Sequence, residues 1–233
     1  PGDVVLVHGG APIGLIVANI AKSRGATVIV SEPNESRLAM AKDFGADYSI
    51  NPMKEDLDAF INKLTDGEGV NVIFEAAGVP ALLAHATSQL SPAGRLVAMT
   101  FGKEPIPVNF KEINAKELTI LGTRHQYQKF PEVVKILPDH LKEVDEITTH
   151  VFKAEDFQKA FDTLADRNSG AGKVVLTFVI EKDGRLTNIQ VLQTPDRSLS
   201  EEAIRVLQQS PKWSPGKQRN QPVRVRYTLP VEF

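Results

Sequence analysis

The feature that most constrains this fold is a short stretch near the start of the chain, where an apolar run ends in a cluster of small residues. Val4 to Val7 is apolar and mostly β-branched, and Gly9 to Gly14 contains three glycines. A helical repeat of apolar residues follows at once, so the order predicts a strand, a tight turn and a helix. The residues on one face of that helix are Ile13, Ile16, Val17, Ile20 and Ala21.

The turn is typical of a backbone that approaches a phosphate. Small residues let another group come close, and the exposed N–H groups at a helix start favour an anion. The fingerprint for a dinucleotide pyrophosphate is G-x-G-x-x-G after a strand. Gly9 and Gly14 fit it, whereas Ala11 stands where the second glycine belongs. The candidate turn residues are Gly9, Gly10, Ala11, Pro12, Ile13 and Gly14.

An acid at the end of the next predicted strand strengthens this interpretation. Glu32 closes the run Thr27 to Glu32, at about the spacing of 20 residues expected for a carboxylate that accepts from the adenosine ribose hydroxyls. A carboxylate there repels a 2′-phosphate, so NAD is favoured over NADP. The alternative is a solvated glutamate before a Pro-Asn turn.

Composition excludes several function classes. The net charge is −2 and the isoelectric point is about 6.3, so no general positive field favours nucleic acid. No run is long enough to span a bilayer, and no signal peptide is recognised. The chain has no cysteine and five histidines without close ligand spacing, which predicts no disulfide, no metal site and a structural or surface role for each histidine.

Alternating strand and helix patterns continue to about residue 125 and predict an α/β fold. Such alternation implies a doubly wound parallel sheet of the Rossmann type, with ligands at the carboxyl ends of the strands. The predicted strands are 27–32, 47–51, 70–74, 95–100 and 118–122, and the predicted helices are 36–44, 57–64 and 80–90.

Residues 1 to about 178 resemble the coenzyme-binding half of the zinc-type medium-chain dehydrogenases, the alcohol and sorbitol dehydrogenase family. The abrupt start at Pro1 also predicts a domain taken from a longer protein. The phrases that carry the resemblance are Pro1 to Val5, Gly9 to Gly14, Glu32 with Arg37, Lys42 to Asp47, Phe74 to Pro80, Pro92 to Arg95 and Gly172 to Phe178.

The resemblance implies a role for each matching residue. The turn would hold the pyrophosphate, and Glu32 and Arg37 would bracket the adenosine ribose. Ordinary surface charge is the alternative for Arg37 and Lys173, and a plain strand end is the alternative for Ala76 to Gly78. The other implied coenzyme-binding residues are Ala76, Ala77 and Gly78 near the ribose and nicotinamide, Met99, Thr100, Thr123 and Arg124 near the carboxamide, and Lys173 near a phosphate.

The same resemblance implies what the chain lacks. In that family the catalytic zinc, its ligands and the substrate pocket come mostly from a preceding domain. We therefore expect NAD binding, no zinc in this chain, no catalytic residues and no turnover of alcohol, so whether the chain is an enzyme stays open. Loss of a partner domain usually leaves an apolar patch, which makes a homodimer an expectation.

The pattern changes near residue 172, which is the predicted boundary between domains 1–172 and 173–233. Residues 126–172 look mostly helical and polar, with Phe157, Ala160, Phe161 and Leu164 on one helix face. Then follow a strand 173–181, an Asp-Gly hairpin turn, a partner strand 186–192, a helix opened by the capping box 198–201, and an alternating strand 223–231. This order predicts a small α+β domain of β-β-α-β plan.

Residues 173–233 resemble the TonB C-terminal domain, the periplasmic tip of bacterial energy transducers. The phrases are 178–184, 211–217, 222–225 and 230–233, without the family's opening helix. The resemblance implies a β-strand partner at a sheet edge, although Arg224 and Arg226 fit edge-protecting charges equally. Trp213 is interpreted as a core residue.

The two resemblances disagree on compartment. Without a leader or a span the chain is expected in the cytoplasm, whereas the TonB-like part belongs to a periplasmic family. We interpret the chain as a recombined or engineered fusion joined at a shared strand. The alternatives are a scaffold protein in which the TonB-like end acts, and a chimera without activity.

Overall fold

The chain divides into two compact units. The computed structural model describes residues 1–99, 105–123, 128–153, 156–166, 174–187, 212–218 and 221–231. Unit 1 is Pro1–Glu143 and unit 2 is Val144–Phe233. The predicted domain boundary at residue 172 does not coincide with this division into compact units, and it stays a prediction.

Unit 1 is built on a parallel sheet of six strands in the order β3-β2-β1-β4-β5-β6. The order reverses beside β1, so the first turn lies at the switch point where such sheets bind ligands. The predicted doubly wound α/β fold is confirmed. The strands are β1 (Val4–His8), β2 (Thr27–Ser31), β3 (Tyr48–Ile50), β4 (Val70–Glu75), β5 (Leu90–Ala98) and β6 (Thr119–Gly122).

Helices lie between these strands along the chain and also follow the last of them. Three of them begin at a capping side chain: Asn34, Asp56 and Asn109 each accept a hydrogen bond from a first-turn backbone N–H. The helices are α1 (Pro12–Ser23), α2 (Glu35–Asp43), α3 (Leu57–Leu64), α4 (Pro80–Gln89), α5 (Phe110–Ala115), α6 (Phe130–Ile136), a 3-10 helix (Leu137–His140) and α7 (Leu141–Ile147).

The core of unit 1 lies between the sheet and the helices. Leu6, Ile29 and Ile73 are fully buried in it, as expected for a parallel sheet covered on its faces. In α1 the buried residues are Gly14, Leu15 and Ala18, whereas Ile13 and Ile16 of the predicted apolar face are exposed. Two of these three buried residues are small, which fits the close approach of α1 to the turn.

Strand β5 starts earlier than predicted. It follows α4 directly at Leu90, and the Pro92-Ala93-Gly94 segment that we expected to end the helix forms an irregularity within it. Pairing with β4 shifts register between Val70 and Val72 at this point. Ala93 adopts a left-handed backbone there (φ 57°).

Unit 2 has a sheet centred on one strand, β8. Its order is β12-β8-β7, with β9 also paired to β8, and β10 and β11 form a separate hairpin. The pairing of β8 is antiparallel with β12 and β9 and parallel with β7. The elements are β7 (His150–Lys153), α8 (Phe157–Ala165), β8 (Val174–Ile180), β9 (Leu186–Thr187), β10 (Gly216–Gln218), β11 (Gln221–Val223) and β12 (Val225–Val231).

The Asp-Gly turn of unit 2 is confirmed, since Gly184 has φ +81° and its N–H donates to the Glu181 carbonyl. Trp213 packs against Ile180, as predicted. Strand β7 was not predicted, because the polar sequence around it resembled a helical segment. The predicted helix after residue 198, and the hairpin strand beyond Thr187, lie outside the described residues.

Candidate functional site

The turn after β1 is shaped by two glycines that admit no side chain. Gly9 has φ +98°, and a Cβ added there would lie 3.1 Å from the Ala77 backbone. A Cβ on Gly14 would lie 1.9 Å from the Gly9 carbonyl oxygen. These positions therefore need glycine because α1 starts in contact with the turn and the turn in contact with the end of β4.

The start of α1 has no side-chain cap. Ala11 is the N-cap residue in an extended conformation (φ −74°, ψ 171°), and Pro12 occupies the first helical position. The first-turn N–H groups of a helix have no acceptor within the helix. Without a capping oxygen, those of Ile13 and Gly14 are oriented toward any anion that binds at the turn.

Glu32 lies beside this turn and is hydrogen-bonded to it. Its side chain is only 5% exposed, and its carboxylate accepts from the N–H of Gly10 at 2.7 Å and of Asn34 at 2.9 Å. A Cβ on Gly10 would lie 3.0 Å from Glu32 Cγ. The second glycine of the turn, at position 10 instead of 11, therefore makes room for this acid.

A second buried acid, Glu75, ends β4 on the other side of the turn. It is fully buried, and its Oε1 accepts from the N–H groups of Ala77 and Gly78 at 3.0 Å each. No role was predicted for Glu75 from the sequence. The available signal was its position, because it closes a buried strand before small residues, as Glu32 does before its own turn.

His8 is buried directly before the turn. The residue is fully buried, and burial lowers the pKa of its imidazole to about 4 despite the raising effect of Gln89. Gln89 and His85 both bond to the Asp58 carboxylate at 2.7 Å. Burial raises the pKa of Asp58, but these hydrogen bonds outweigh it and lower the value overall.

The structure brings together only part of the predicted site. The turn, Glu32 and the Ala76–Gly78 segment are in contact, as described above. Met99 and Thr123 lie at the carboxyl ends of β5 and β6, where their N–H groups donate to Glu75 and Ala98 carbonyls. Arg37 lies in the first turn of α2. The predicted residues Thr100, Arg124 and Lys173 lie outside the described residues.

Three other features of the described residues were searched for a site. Within the described ranges, no group of three metal-ligating side chains occurs, and no helix there is long and apolar enough to cross a membrane. A polar cavity of about 490 Å³ is lined by Asn62, Gly69, Asn71 and Ser91. It lies by the amino end of β4, away from the glycine turn.

Unit 1 thus has the six-stranded sheet and the glycine turn of a Rossmann-type α/β domain. The sequence profile of zinc-binding dehydrogenases matches residues 12–139, and the chain belongs to that family. A second profile, of the Gram-negative bacterial TonB protein C-terminal region, matches residues 158–233. Both predicted resemblances are confirmed, although the second match starts before residue 173, inside α8.

Individual relatives support the same assignment. L-threonine 3-dehydrogenase of Pyrococcus furiosus is 37% identical over 179 residues, 75% of this chain and 51% of that enzyme. The structure of alcohol dehydrogenase RspB of Escherichia coli CFT073 with NADH has 32% identity and a TM-score of 0.69 over 74% of this chain and 51% of its own. For 2R,3R-butanediol dehydrogenase of Bacillus subtilis the values are 30%, 0.68, 75% and 50%. The chain spans about half the length of these relatives.

Proposed function

We propose that unit 1 binds NAD(H), with the pyrophosphate at the start of α1. The observation that carries this proposal is the glycine turn between β1 and α1, closed so tightly that neither Gly9 nor Gly14 tolerates a side chain. The uncapped helix start offers N–H groups and a partial positive charge to the phosphates. The RspB structure contains NADH, which supports the same ligand here.

The residues at the turn fit this ligand. Ala11 has ordinary extended backbone angles, so its methyl group causes no strain. Whether that methyl weakens phosphate binding is tested by Ala11→Gly, which we expect to tighten binding. The further contacts proposed are the predicted ones: Arg37 near the ribose, Ala76 to Gly78 near the nicotinamide side, and Met99, Thr100, Thr123, Arg124 and Lys173 around the carboxamide and phosphate.

Glu32 supports a preference for NAD over NADP. A carboxylate has about four lone-pair positions, and backbone N–H groups fill two of those on Glu32. The others suit ribose hydroxyl donors, whereas a 2′-phosphate would be repelled. Glu32→Gln should therefore reduce the discrimination between NADH and NADPH. It keeps one oxygen as acceptor for the turn.

The decisive experiment is calorimetric titration of the full chain with NADH, using Ala11→Asp as the matched variant. Asp is a favoured N-cap residue, so this variant should fold at least as stably as the parent. Its carboxylate would occupy the N–H groups and repel the pyrophosphate, so NADH binding should disappear. Absence of binding by the folded parent, or undiminished binding by Ala11→Asp, would refute the proposal.

We further propose that residues 1–233 by themselves bind the coenzyme without oxidising alcohols. The family resemblance assigns the zinc ligands and substrate pocket to a preceding domain, which supports this. The measurement is NADH formation from NAD with short alcohols, polyols or threonine. A zinc-dependent rate above background, proportional to protein concentration, would show the proposal to be wrong.

The apolar surface of β6 supports a homodimer. Ile120 and Leu121 project from opposite faces of this edge strand and both are exposed. A second copy would cover them and extend the sheet. Sedimentation of the parent and of Leu121→Lys tests this, with a shift to monomer expected for the variant. A monomeric parent would refute it.

The second candidate function is strand recognition by the TonB-like part. Strand β12 pairs with β8 along one edge, and among the described strands none occupies its other edge, which supports addition of a partner strand. Capture of an extended receptor-derived peptide by the full chain is the test.

We also propose that the chain is a fusion joined at β8. In that case the dehydrogenase-like part would derive from a cytoplasmic protein and the TonB-like part from a periplasmic one.

A further inference from the structure

The polar cavity at the amino end of β4 lies where the pairing of β4 with β5 is interrupted. The regular pairs on either side of the interruption are Val70 with Leu90 and Val72 with Arg95. Between them one residue of β4, Asn71, lies beside four of β5, residues 91–94. These four form a bulge, which is held in place because the N–H of Ala93 donates to the carbonyl of Lys116 at 2.6 Å. The interruption leaves polar side chains at this point without a regular strand ladder around them.

Another wall of the cavity is the loop between α3 and β4. Two glycines of this loop, Gly67 and Gly69, have left-handed backbones (φ +85° and +88°). A Cβ on Gly69 would lie 2.6 Å from the carbonyl oxygen of Gln89, so the loop packs directly against the end of α4. The cavity of about 490 Å³ is therefore bounded by segments that are packed on one another, and its volume is that of a small-molecule site.

Ser91 contributes a buried hydroxyl whose contacts within the described residues are long. Only 4% of this residue is exposed. Its Oγ lies 3.5 Å from Asn71 Nδ2 and 3.4 Å from the carbonyl oxygen of Pro92, whereas an ordinary O–H···O hydrogen bond is about 2.7 Å long. A buried hydroxyl without a good partner costs free energy. A ligand group that enters the cavity and bonds to Ser91 would remove this cost.

Two asparagines place amide groups on the same cavity. Asn71 uses its side-chain oxygen to accept from the N–H of Val4 at 2.7 Å, so its NH₂ group has only the long contact to Ser91. Asn62 lies on α3, is exposed and also lines the cavity. Amides and hydroxyls offer both donors and acceptors. A ligand with several hydroxyl groups matches this mixture, because each hydroxyl can donate and accept.

The two charged residues that line the cavity, Glu68 and Lys116, have opposite signs. A lysine ammonium has three hydrogen-bond donors, and Lys116 uses all three at the end of α4. The acceptors are the carbonyl oxygens of Thr87, Ser88 and Leu90, at 3.0, 2.9 and 2.8 Å. A phosphate or a carboxylate would thus compete with these carbonyls for Lys116 and would be repelled by Glu68. The cavity therefore favours a ligand without net charge.

We propose that this cavity binds a neutral monosaccharide in its ring form. A pyranose carries adjacent hydroxyl groups around its ring, and the protein offers polar groups on several sides of the cavity. The matching groups are the Ser91 hydroxyl, the Asn62 and Asn71 amides and the Glu68 carboxylate. The cavity lies at the amino end of β4, whereas the glycine turn lies at the carboxyl end of β1. Sugar binding here is therefore independent of the proposed coenzyme site.

The test is a titration of the ¹⁵N-labelled full chain with D-glucose and with D-galactose, followed by NMR of the backbone amides. A polar cavity buries little apolar surface, so we expect a Kd on the order of 10 mM. The amide shifts should saturate, with the largest changes at residues 67–71 and 88–91. Absence of saturable shifts at these amides with both sugars would overturn the proposal. Saturation by inorganic phosphate in place of the sugars would overturn it in favour of an anion site.

Two variants locate the bound sugar. Ser91→Ala removes the buried hydroxyl, and Asn62→Ala removes an amide from an exposed helix position, where alanine favours folding. Each should weaken sugar binding about fivefold, as expected for one neutral hydrogen bond. Ser31→Ala is the matched control, because Ser31 is similarly buried (5% exposed) but does not line the cavity, and it should bind the sugar like the parent. Undiminished binding by both folded cavity variants would overturn the proposal.

Discussion

The larger described sheets of the two units differ in how their strands are paired. In unit 1 each strand pairs in parallel with its neighbours, in a fixed order. In unit 2, β8 pairs with three strands, and one edge is divided between β7 and β9. The comparison shows two ways of building a sheet: a fixed sequence of parallel neighbours in unit 1, and one central strand with which the other described strands of its sheet pair in unit 2.

The described hydrophobic cores of the two units also differ, in the number of fully buried residues that pack together. Unit 1 buries a continuous cluster that includes Leu6, Ile29 and Ile73. In unit 2 the described core centres on Ile180, with Leu186 and Trp213 packed against it. Fully buried residues such as Leu6 and Ile29 share the cluster of Ile73, whereas Leu186 and Trp213 beside Ile180 are only partly buried, so substitution of Ile73 should have the larger effect.

The largest expected effect is that of Ile73→Ala, which should lower the free energy of unfolding of unit 1 by about 4 kcal/mol through lost burial and a cavity. Ile180→Ala in unit 2 should lose only about 2 kcal/mol, because its neighbours are partly exposed. Far-UV circular dichroism follows the first. Fluorescence of Trp213, the only tryptophan, follows the second. Equal losses would break the comparison, and exposed Ile120→Ala is the control.

Next is Gly14→Ala, where the new Cβ would lie 1.9 Å from the Gly9 oxygen. Overpacking at this point should cost roughly 3 kcal/mol and should abolish NADH binding. Gly122→Ala is the matched control, because nothing lies within 4 Å of a Cβ there. If both variants unfold at the same denaturant concentration, the close contact between the turn and α1 is wrong.

The pH dependence of unit 1 should reveal His8. Its pKa is about 4 in the folded chain against 6.5 for an ordinary histidine. The unfolded chain therefore binds more protons between these values, and stability is lost as pH falls from about 6.5 to 4, by about 2 to 3 kcal/mol. Urea unfolding at several pH values measures the loss. His8→Leu should remove it, and a persisting slope in that variant would assign it to other groups.

The smallest expected effect is that of Gly184→Ala in unit 2. It combines a left-handed backbone (φ +81°) with a Cβ 2.4 Å from the Trp213 oxygen, so a loss of about 2 kcal/mol is expected. Gly67→Ala in unit 1 has the same type of backbone (φ +85°) in open space and should lose about 1 kcal/mol. Trp213 fluorescence and far-UV dichroism measure the two. An equal loss of unfolding free energy in the two variants would show that the hairpin turn is not in close contact with Trp213.

Much of unit 1 was predictable because its signals are local. Apolar runs of strand length, capping residues such as Asn34 and Asp56, and the glycine turn each lie within a few residues of the element that they define. The helix 57–64 was predicted with its observed bounds. Strand β7 was missed for the opposite reason, since its four residues become a strand only by pairing with β8.

The candidate site shows the same division. Gly9, Gly14 and Glu32 were predicted from their spacing and from the order of strand, turn and helix. The bonds from Gly10 to Glu32, and from Ala77 and Gly78 to Glu75, were not. A carboxylate at a strand end has the same local sequence whether it faces solvent or a neighbouring turn, so its partners depend on the order of the strands.

The sequence by itself determined the succession of strands and helices, the position of the glycine turn and the two families that the chain resembles, because periodicity and turn chemistry are encoded in neighbouring residues. Only the tertiary structure decided that two buried acids flank that turn, that His8 is buried, and that β8 pairs with β12, β7 and β9. Each of these facts depends on which distant segments pack together, and long-range pairing leaves no local mark in a chain.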